Sequence, residues 1–137
     1  IIIIIRMEYT TKQIIVRYHE TDQMHFVHHS NYLKYFELAR LEWLSDLQIS
    51  YAEMESRGIL MPVVNASVKY IKPLVFGDNF SVTVILKKEP KATLELDYKI
   101  LNQNKELIST GNTLLAFLSS DTKLPIRCPK FLLEKFN

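Results

Sequence analysis

A single amphipathic helix, set among segments that alternate like strands, limits most what this chain can fold into. Across residues 31–47 apolar side chains recur at spacings of three and four, the period of one helix face, without Gly or Pro. Ser30 stands where a helix N-cap is expected. The apolar stripe consists of Tyr32, Phe36, Ala39, Trp43 and Leu47, widened by Leu33, Leu41 and Leu44. A helix with so broad an apolar face must be covered by a second layer.

The rest of the chain supplies that layer as strands joined by short turns. Apolar and polar residues alternate most clearly in 93–100, and turn signals such as Gly77-Asp78 separate the strand-like runs. The predicted strands are 9–18, 63–72, 80–87, 93–100 and 107–118, and short helices are predicted at 51–57 and within 125–137. Consecutive strands with short turns form an antiparallel sheet. The pattern therefore predicts an α+β fold in which one sheet wraps around one long helix.

Size and composition indicate a single globular domain of ordinary composition. The 137 residues, 47% of them hydrophobic, are enough for one domain with one core, predicted over residues 7–137. A net charge of +2 without a basic run gives no reason to expect nucleic acid, and no apolar run could span a membrane. One cysteine, Cys128, is typical of a reducing compartment such as the cytoplasm. Residues 1–6, five isoleucines and an arginine ahead of Met7, resemble no signal peptide and are expected to be foreign to the domain.

The loop before the long helix holds the side chains most suited to chemistry. All four histidines of the chain, His19, His25, His28 and His29, lie within eleven residues, together with Asp22. Imidazole and carboxylate groups bind zinc, so residues 22–29 could form a metal site. An aspartate ahead of a helix is also a common turn or capping residue. Residue types alone leave these alternatives open.

Two motifs resemble the hotdog-fold acyl-CoA thioesterases, and most closely the branch of 4-hydroxybenzoyl-CoA thioesterase and YbgC. The first runs through residues 16–22 (VRYHETD), 27–37 (VHHSNYLKYFE) and Ala39-Arg40, and the second through residues 70–74 (YIKPL) and Gly77-Asp78. Their order and separation match the family over most of the chain. The resemblance implies a hotdog fold, a five- to six-stranded antiparallel sheet around one long helix.

The resemblance also implies roles for particular residues. Asp22 would be the nucleophile or general base, and the backbone N–H of His29, at the start of the helix, would stabilise the oxyanion. No metal or cofactor would be required. The substrate would be an acyl-CoA or an acyl-carrier-protein thioester, and the chain would form a homodimer or a dimer of dimers with the site at the interface. The expected substrate-binding residues are Tyr18, His25, His28, Asn31, Tyr32, Asn65 and Ser67.

Two residues depart from the family pattern, and other functions compete with hydrolysis. Glu20 replaces the first aspartate of an acidic pair, and His25 replaces a glycine, which could narrow the acyl pocket. A non-catalytic acyl-CoA-binding protein would tolerate that change. A hotdog dehydratase would instead carry its acid and base on the helix, which the position of Asp22 disfavours. Arg40 suits an ion pair or a functional contact, and basic residues at turns, Lys87 and Lys88 among them, could meet phosphates of coenzyme A.

Overall fold

A computed structural model of the chain describes residues 7–136, so the prediction for residues 1–6 lies outside the described part. An antiparallel sheet curls around one long helix, as predicted. The strand order is β1-β5-β6-β7-β4, with β2 also paired to β5. The elements are β1 (Met7–Thr10), β2 (Ile14–Ile15), α1 (Asn31–Asp46), α2 (Tyr51–Ser56), β3 (Ile59–Leu60), β4 (Val63–Tyr70), β5 (Asn79–Leu86), β6 (Thr93–Asn102), β7 (Leu107–Ala116), β8 (Leu118–Ser119) and α3 (Lys130–Leu133). The predicted α+β fold, an antiparallel sheet of five to six strands around one long helix, is confirmed.

Helix α1 is buried along the stripe that the sequence predicts, with two exceptions. Phe36, Ala39 and Trp43 are almost completely enclosed against the sheet. Leu33 and Leu41, which were expected to widen the stripe, are instead about two-fifths exposed. No helix among the described residues is long and apolar enough to cross a membrane.

The first predicted strand, 9–18, is interrupted in the structure. Both β1 and β2 pair with β5, but between them the Thr11 side chain accepts a hydrogen bond from the N–H of Val82 (3.1 Å). That side-chain contact replaces a regular ladder bond and breaks the strand. After β2, the chain forms a 3-10 turn at Tyr18–Glu20, where Glu20 Oε1 accepts from the N–H of Arg17 (2.8 Å). This turn leads into the loop before α1, and the carbonyl of its last residue, Glu20, accepts a hydrogen bond from Asn31 at the start of that helix.

The last predicted strand, 107–118, is also divided. β7 ends at Ala116, Phe117 is buried, and β8 pairs with β3 in a separate two-stranded sheet. Strand β3 was not predicted, because its two residues are too few for a detectable period. The C-terminal segment ends in α3 and a 3-10 turn, as the sequence predicted in outline.

One border of the six-stranded sheet is bare. Among residues 7–136, β4 pairs with β7 on one side and with no strand on the other, and seven of its eight residues are exposed. Val63 and Val64 at its start are 45% and 55% exposed, and Tyr70 at its end is 51% exposed. A long strand edge with exposed apolar side chains is an open template for a further strand.

Candidate active site

The loop around Asp22 is a tight hairpin that fixes the carboxylate. Thr21 and Val27 form an antiparallel bridge, and the N–H of Asp22 donates to the carbonyl of Phe26 at 2.7 Å. Oδ1 of Asp22 accepts from the N–H groups of Met24 (2.8 Å) and Phe26 (3.2 Å). Within residues 7–136, Oδ2 has no hydrogen-bond partner. One oxygen therefore anchors the side chain while the other is available to a substrate or a water.

The histidine that replaces a glycine of the family lies at the tip of this hairpin. His25 has a φ of +66°, in the left-handed region, and its N–H donates to the carbonyl of Asp22 at 3.0 Å. Glycine suits this position because it adopts such a φ without a steric penalty, and histidine is among the other residues found there. The imidazole is exposed and does not line the cleft beside Asp22. In this protomer, the expected narrowing of the pocket by His25 does not occur.

The start of α1 presents a free backbone donor. The carbonyl of Glu20 accepts from the N–H of His28 and from Nδ2 of Asn31, both at 2.8 Å, which ties the loop to the helix. The carbonyl of His28 accepts from the N–H of Asn31 at 2.9 Å. In a trans peptide the C=O and N–H point in opposite directions, so the N–H of His29 points out of the helix start. That N–H has no acceptor within the described residues.

Ser30, the expected N-cap, does not cap the helix with its side chain. Its hydroxyl lies 2.8 Å from Nδ1 of His28, and its N–H donates to the same nitrogen at 3.2 Å. Because Nδ1 accepts from the backbone, a neutral His28 carries its proton on Nε2. The rings of His28 and His29 stack with their centroids 4.2 Å apart. The predicted binding residues His28 and Asn31 are thus both engaged in holding the loop.

Asp22 and His29 line the same cleft, which has a volume of about 330 Å³. Aromatic rings form much of its wall: the ring of Tyr70 stands edge-on to Tyr32 (4.9 Å between centroids) and to His29 (6.4 Å). Burial raises the pKa of the Tyr32 hydroxyl, so Tyr32 is neutral in this wall. The other lining residues are Met24, Phe26, Val27, Ile71, Lys72 and Pro73.

Of the seven predicted substrate-binding residues, Tyr32 lines this cleft. Three others belong to the loop and helix start beside it, and the remaining three lie elsewhere in the fold. Tyr18 is 71% exposed and packs against Phe76, with ring centroids 5.7 Å apart. Asn65 and Ser67 pair with Leu114 and Asn112 of β7, on the face of the sheet that turns away from α1. Alternate residues of a strand face opposite sides, so the helix-facing positions of β4 are those of Val68 and Tyr70. Asn65 and Ser67 therefore lie apart from the cleft of this protomer, and their contact with substrate stays a prediction.

Tyr70 is the residue of the cleft that sequence reasoning missed. It stood in the second family motif, but it was given no role. Its hydroxyl donates to the carbonyl of His29 at 3.2 Å. The alternation along β4 could have identified it, since it shares parity with the helix-facing Val68.

Other charged candidates are engaged elsewhere. No group of three or more His, Cys, Asp or Glu residues among residues 7–136 could hold a metal ion. Lys87 and Lys88 pair with Asp97 (3.1 Å) and Glu95 (3.2 Å) on β6. These two lysines therefore lie in exposed ion pairs on the sheet, where they are expected to add little stability.

Arg40 is buried and meets a hydroxyl rather than a carboxylate. Its guanidinium donates to the hydroxyl of Tyr98 at 3.2 Å, and that hydroxyl lies 2.7 Å from Oγ1 of Thr113. Burial is the largest cause of a raised pKa for Tyr98. The network joins α1 to β6 and β7 in the core, which favours the structural interpretation of Arg40.

Sequence comparison relates this chain to known proteins. The family model described as the Thioesterase-like superfamily matches residues 16–136. One relative is YneP from Bacillus subtilis (strain 168), whose name describes it as an acyl-CoA thioesterase. It is 39% identical over 101 residues, which cover 74% of this chain and 73% of the relative. The Acyl-CoA thioester hydrolase YbgC of Escherichia coli O6:H1 is 22% identical over 121 residues, covering 88% and 90%.

A solved structure extends the agreement to the fold. The DHNA-CoA thioesterase from Staphylococcus aureus superposes with a TM-score of 0.81 and is 38% identical, covering 88% of this chain and 80% of that one. The predicted family is thereby confirmed by sequence and by architecture. With 121 of its 137 residues matched by the family model, this chain belongs to the Thioesterase-like superfamily.

Proposed function

We propose that this protein hydrolyses acyl-CoA thioesters, with Asp22 and the N–H of His29 as the reactive pair. One observation carries the proposal: an anchored carboxylate with a free oxygen lines the same cleft as an unpaired helix-start N–H. Thioester hydrolysis needs these two groups, an oxygen that attacks or activates water and a donor for the developing oxyanion. Family membership and the names of the relatives support the same reaction.

The reaction follows from the positions of the two groups. Asp22 removes a proton from a water molecule as the water oxygen adds to the thioester carbon, and the N–H of His29 donates to the resulting oxyanion. When the carbonyl re-forms, the C–S bond breaks and the CoA thiolate takes the proton held by Asp22. In the nucleophilic variant Oδ2 attacks the carbon itself, and water then hydrolyses the mixed anhydride. Every group required is a side chain or backbone group of this chain, so the proposal includes no metal or cofactor.

A panel of thioesters tests the activity and its acyl preference. We expect hydrolysis of acyl-CoA, measured as release of free thiol, with aromatic acyl groups favoured because Tyr32 and Tyr70 line the cleft. The panel contains short, long and aromatic acyl-CoAs and the matching acyl-carrier-protein thioesters. Faster turnover of the carrier-protein substrates would favour the acyl-carrier-protein alternative. Binding of acyl-CoA without turnover of any member would contradict hydrolysis and favour a binding protein.

We also propose that two protomers associate through the bare edge of β4, as a dimer or as one half of a dimer of dimers. Antiparallel pairing of two β4 edges would continue the sheet and cover Val63 and Val64. The same pairing would place the partner beside Tyr70, which ends β4 and lines the cleft. The active site would then be completed by the partner.

A charge placed on this edge should separate the protomers. We expect size-exclusion chromatography with light scattering to give an assembly of two or four chains for the wild type, and a smaller species for Val64→Lys. Lysine on an edge strand opposes strand addition. Leu124→Lys is the matched control, because Leu124 is 62% exposed and lies outside β4. A wild type that is monomeric at micromolar concentration would contradict the proposal.

A further inference from the structure

We infer that Tyr70 is a positioning residue, whose hydroxyl holds the carbonyl of His29 and so orders the backbone of the residue that supplies the oxyanion donor. The inference rests on the proposed function, because it assigns to the N–H of His29 a support that lies on another element of the fold. Tyr70 belongs to β4, forty-one residues along the chain from His29, yet its hydroxyl donates to the carbonyl of His29. The contact joins the edge of the sheet to the start of α1.

The other hydrogen bonds of the two peptide groups that flank His29 are local. The carbonyl of His28 accepts from the N–H of Asn31 at 2.9 Å, and the N–H of Ser30 donates to Nδ1 of His28 at 3.2 Å. The carbonyl of His29 accepts a second hydrogen bond from the N–H of Tyr32 at 3.3 Å, and the N–H of His29 has no acceptor among the described residues. His29 itself is exposed and precedes α1, so core packing does not hold it. Among these hydrogen bonds, the donation from Tyr70 at 3.2 Å is the one that comes from another element of the fold.

The ring of Tyr70 is held independently of this hydroxyl. It stands at 87° to the ring of Tyr32 and at 89° to that of His29, two edge-on contacts that need no phenolic oxygen. Removal of the hydroxyl alone therefore leaves the wall of the cleft in place. The oxyanion donor is most effective when it is oriented before the reaction begins, so a looser residue 29 should slow turnover and leave ground-state binding unchanged.

Tyr70→Phe tests the inference in the full-length assembled protein. We expect kcat for the best acyl-CoA of the panel to fall about three- to tenfold, the factor that a neutral hydrogen bond of ordinary strength supplies. KM and the thermal midpoint should not change. In the free protein, the ¹⁵N order parameter of the His29 amide should fall from about 0.85 toward about 0.6, the range of a flexible backbone. The order parameter is measured without substrate, so it reports positioning alone.

Tyr9→Phe is the matched control. The hydroxyl of Tyr9 donates to Glu42 at 3.2 Å, the same distance, on the opposite border of the sheet from β4. This variant should retain the wild-type kcat and His29 order parameter.

Each outcome of the Tyr70 experiment decides the inference. An unchanged kcat in Tyr70→Phe overturns it while hydrolysis by the wild type stands. A lower kcat with an unchanged His29 order parameter also overturns it, because the hydroxyl would then act on the substrate directly. Full activity in Asp22→Asn would instead remove the proposed function on which the inference rests.

Discussion

Asp22→Asn should reduce kcat for acyl-CoA hydrolysis by about 10²–10⁴-fold, the usual contribution of a positioned acid–base group. The amide is neither a base nor a nucleophile at neutral pH. Its oxygen can still accept from the N–H groups of Met24 and Phe26, which Oδ1 of Asp22 accepts in the wild type. The hairpin should therefore persist, and the loss should appear in kcat with little change in the binding of acyl-CoA. Steady-state thiol release and calorimetric binding measure the two quantities.

The matched control is Asp78→Asn. Asp78 is also a turn aspartate: Oδ2 accepts from the N–H of Val75 at 3.0 Å, and Oδ1 accepts from Gln103 at 3.0 Å. This residue does not line the cleft, so the same chemical change there should leave turnover near the wild-type rate. Similar losses in both variants would indicate a general effect of losing a turn carboxylate, and the role assigned to Asp22 would be wrong.

Gly111→Ala should produce the largest loss of stability among single-methyl additions. A Cβ at residue 111 would lie 2.2 Å from Cε2 and 2.6 Å from Cζ of Phe36, and 3.0 Å from the carbonyl of Ser67. The ring of Phe36 cannot retreat, because it is fully buried and stacks on Tyr98 with centroids 4.6 Å apart. We expect the free energy of unfolding to fall by about 2–3 kcal/mol, typical of overpacking in a dense core. Urea denaturation followed by circular dichroism measures it.

A double-mutant cycle separates this clash from a general effect of the substitution. Phe36→Leu removes the atoms that the new Cβ would meet, so Gly111→Ala should be tolerated better in that background. The coupling free energy is expected to exceed about 1 kcal/mol in the direction of rescue, as for residues in direct contact. Additive effects would show that the cause is local to the strand rather than the ring of Phe36.

The sequence predicted those features that a period or a turn signal reports. Helix α1 was found within one residue of its bounds, because sixteen residues give more than four turns of the apolar repeat. A glycine inside a strand often marks the close approach of another group, and at Gly111 that group is the ring of Phe36. The break between β1 and β2 was missed, since it depends on a hydrogen bond between Thr11 and Val82, seventy-one residues apart.

The candidate site was located through family resemblance, and its details came from geometry. Asp22 and His29 do line one cleft, yet Asn65 and Ser67 face the other side of the sheet, and His25 serves a turn. The irregularity of β4 between Val63 and Asn65 changes which residues face the helix. Such a shift depends on how two strands meet, which a single sequence does not report.

The exposed edge of β4 also affects the newly synthesised chain in the period before it associates with another. In the proposed dimer, a protomer that has not yet associated has an eight-residue β4 edge with no strand paired to it among residues 7–136, and the first two residues of that edge are exposed valines. Any other extended chain can add to such an edge, whether native or misfolded. The proposed dimerisation then competes with aggregation, and the folded monomer is the species that aggregates. Dilution, delayed synthesis of one of the two copies, or an interface variant such as Val64→Lys would each lengthen the time that a protomer spends with its β4 edge unpaired. Only the lysine would also oppose the addition of other strands to that edge.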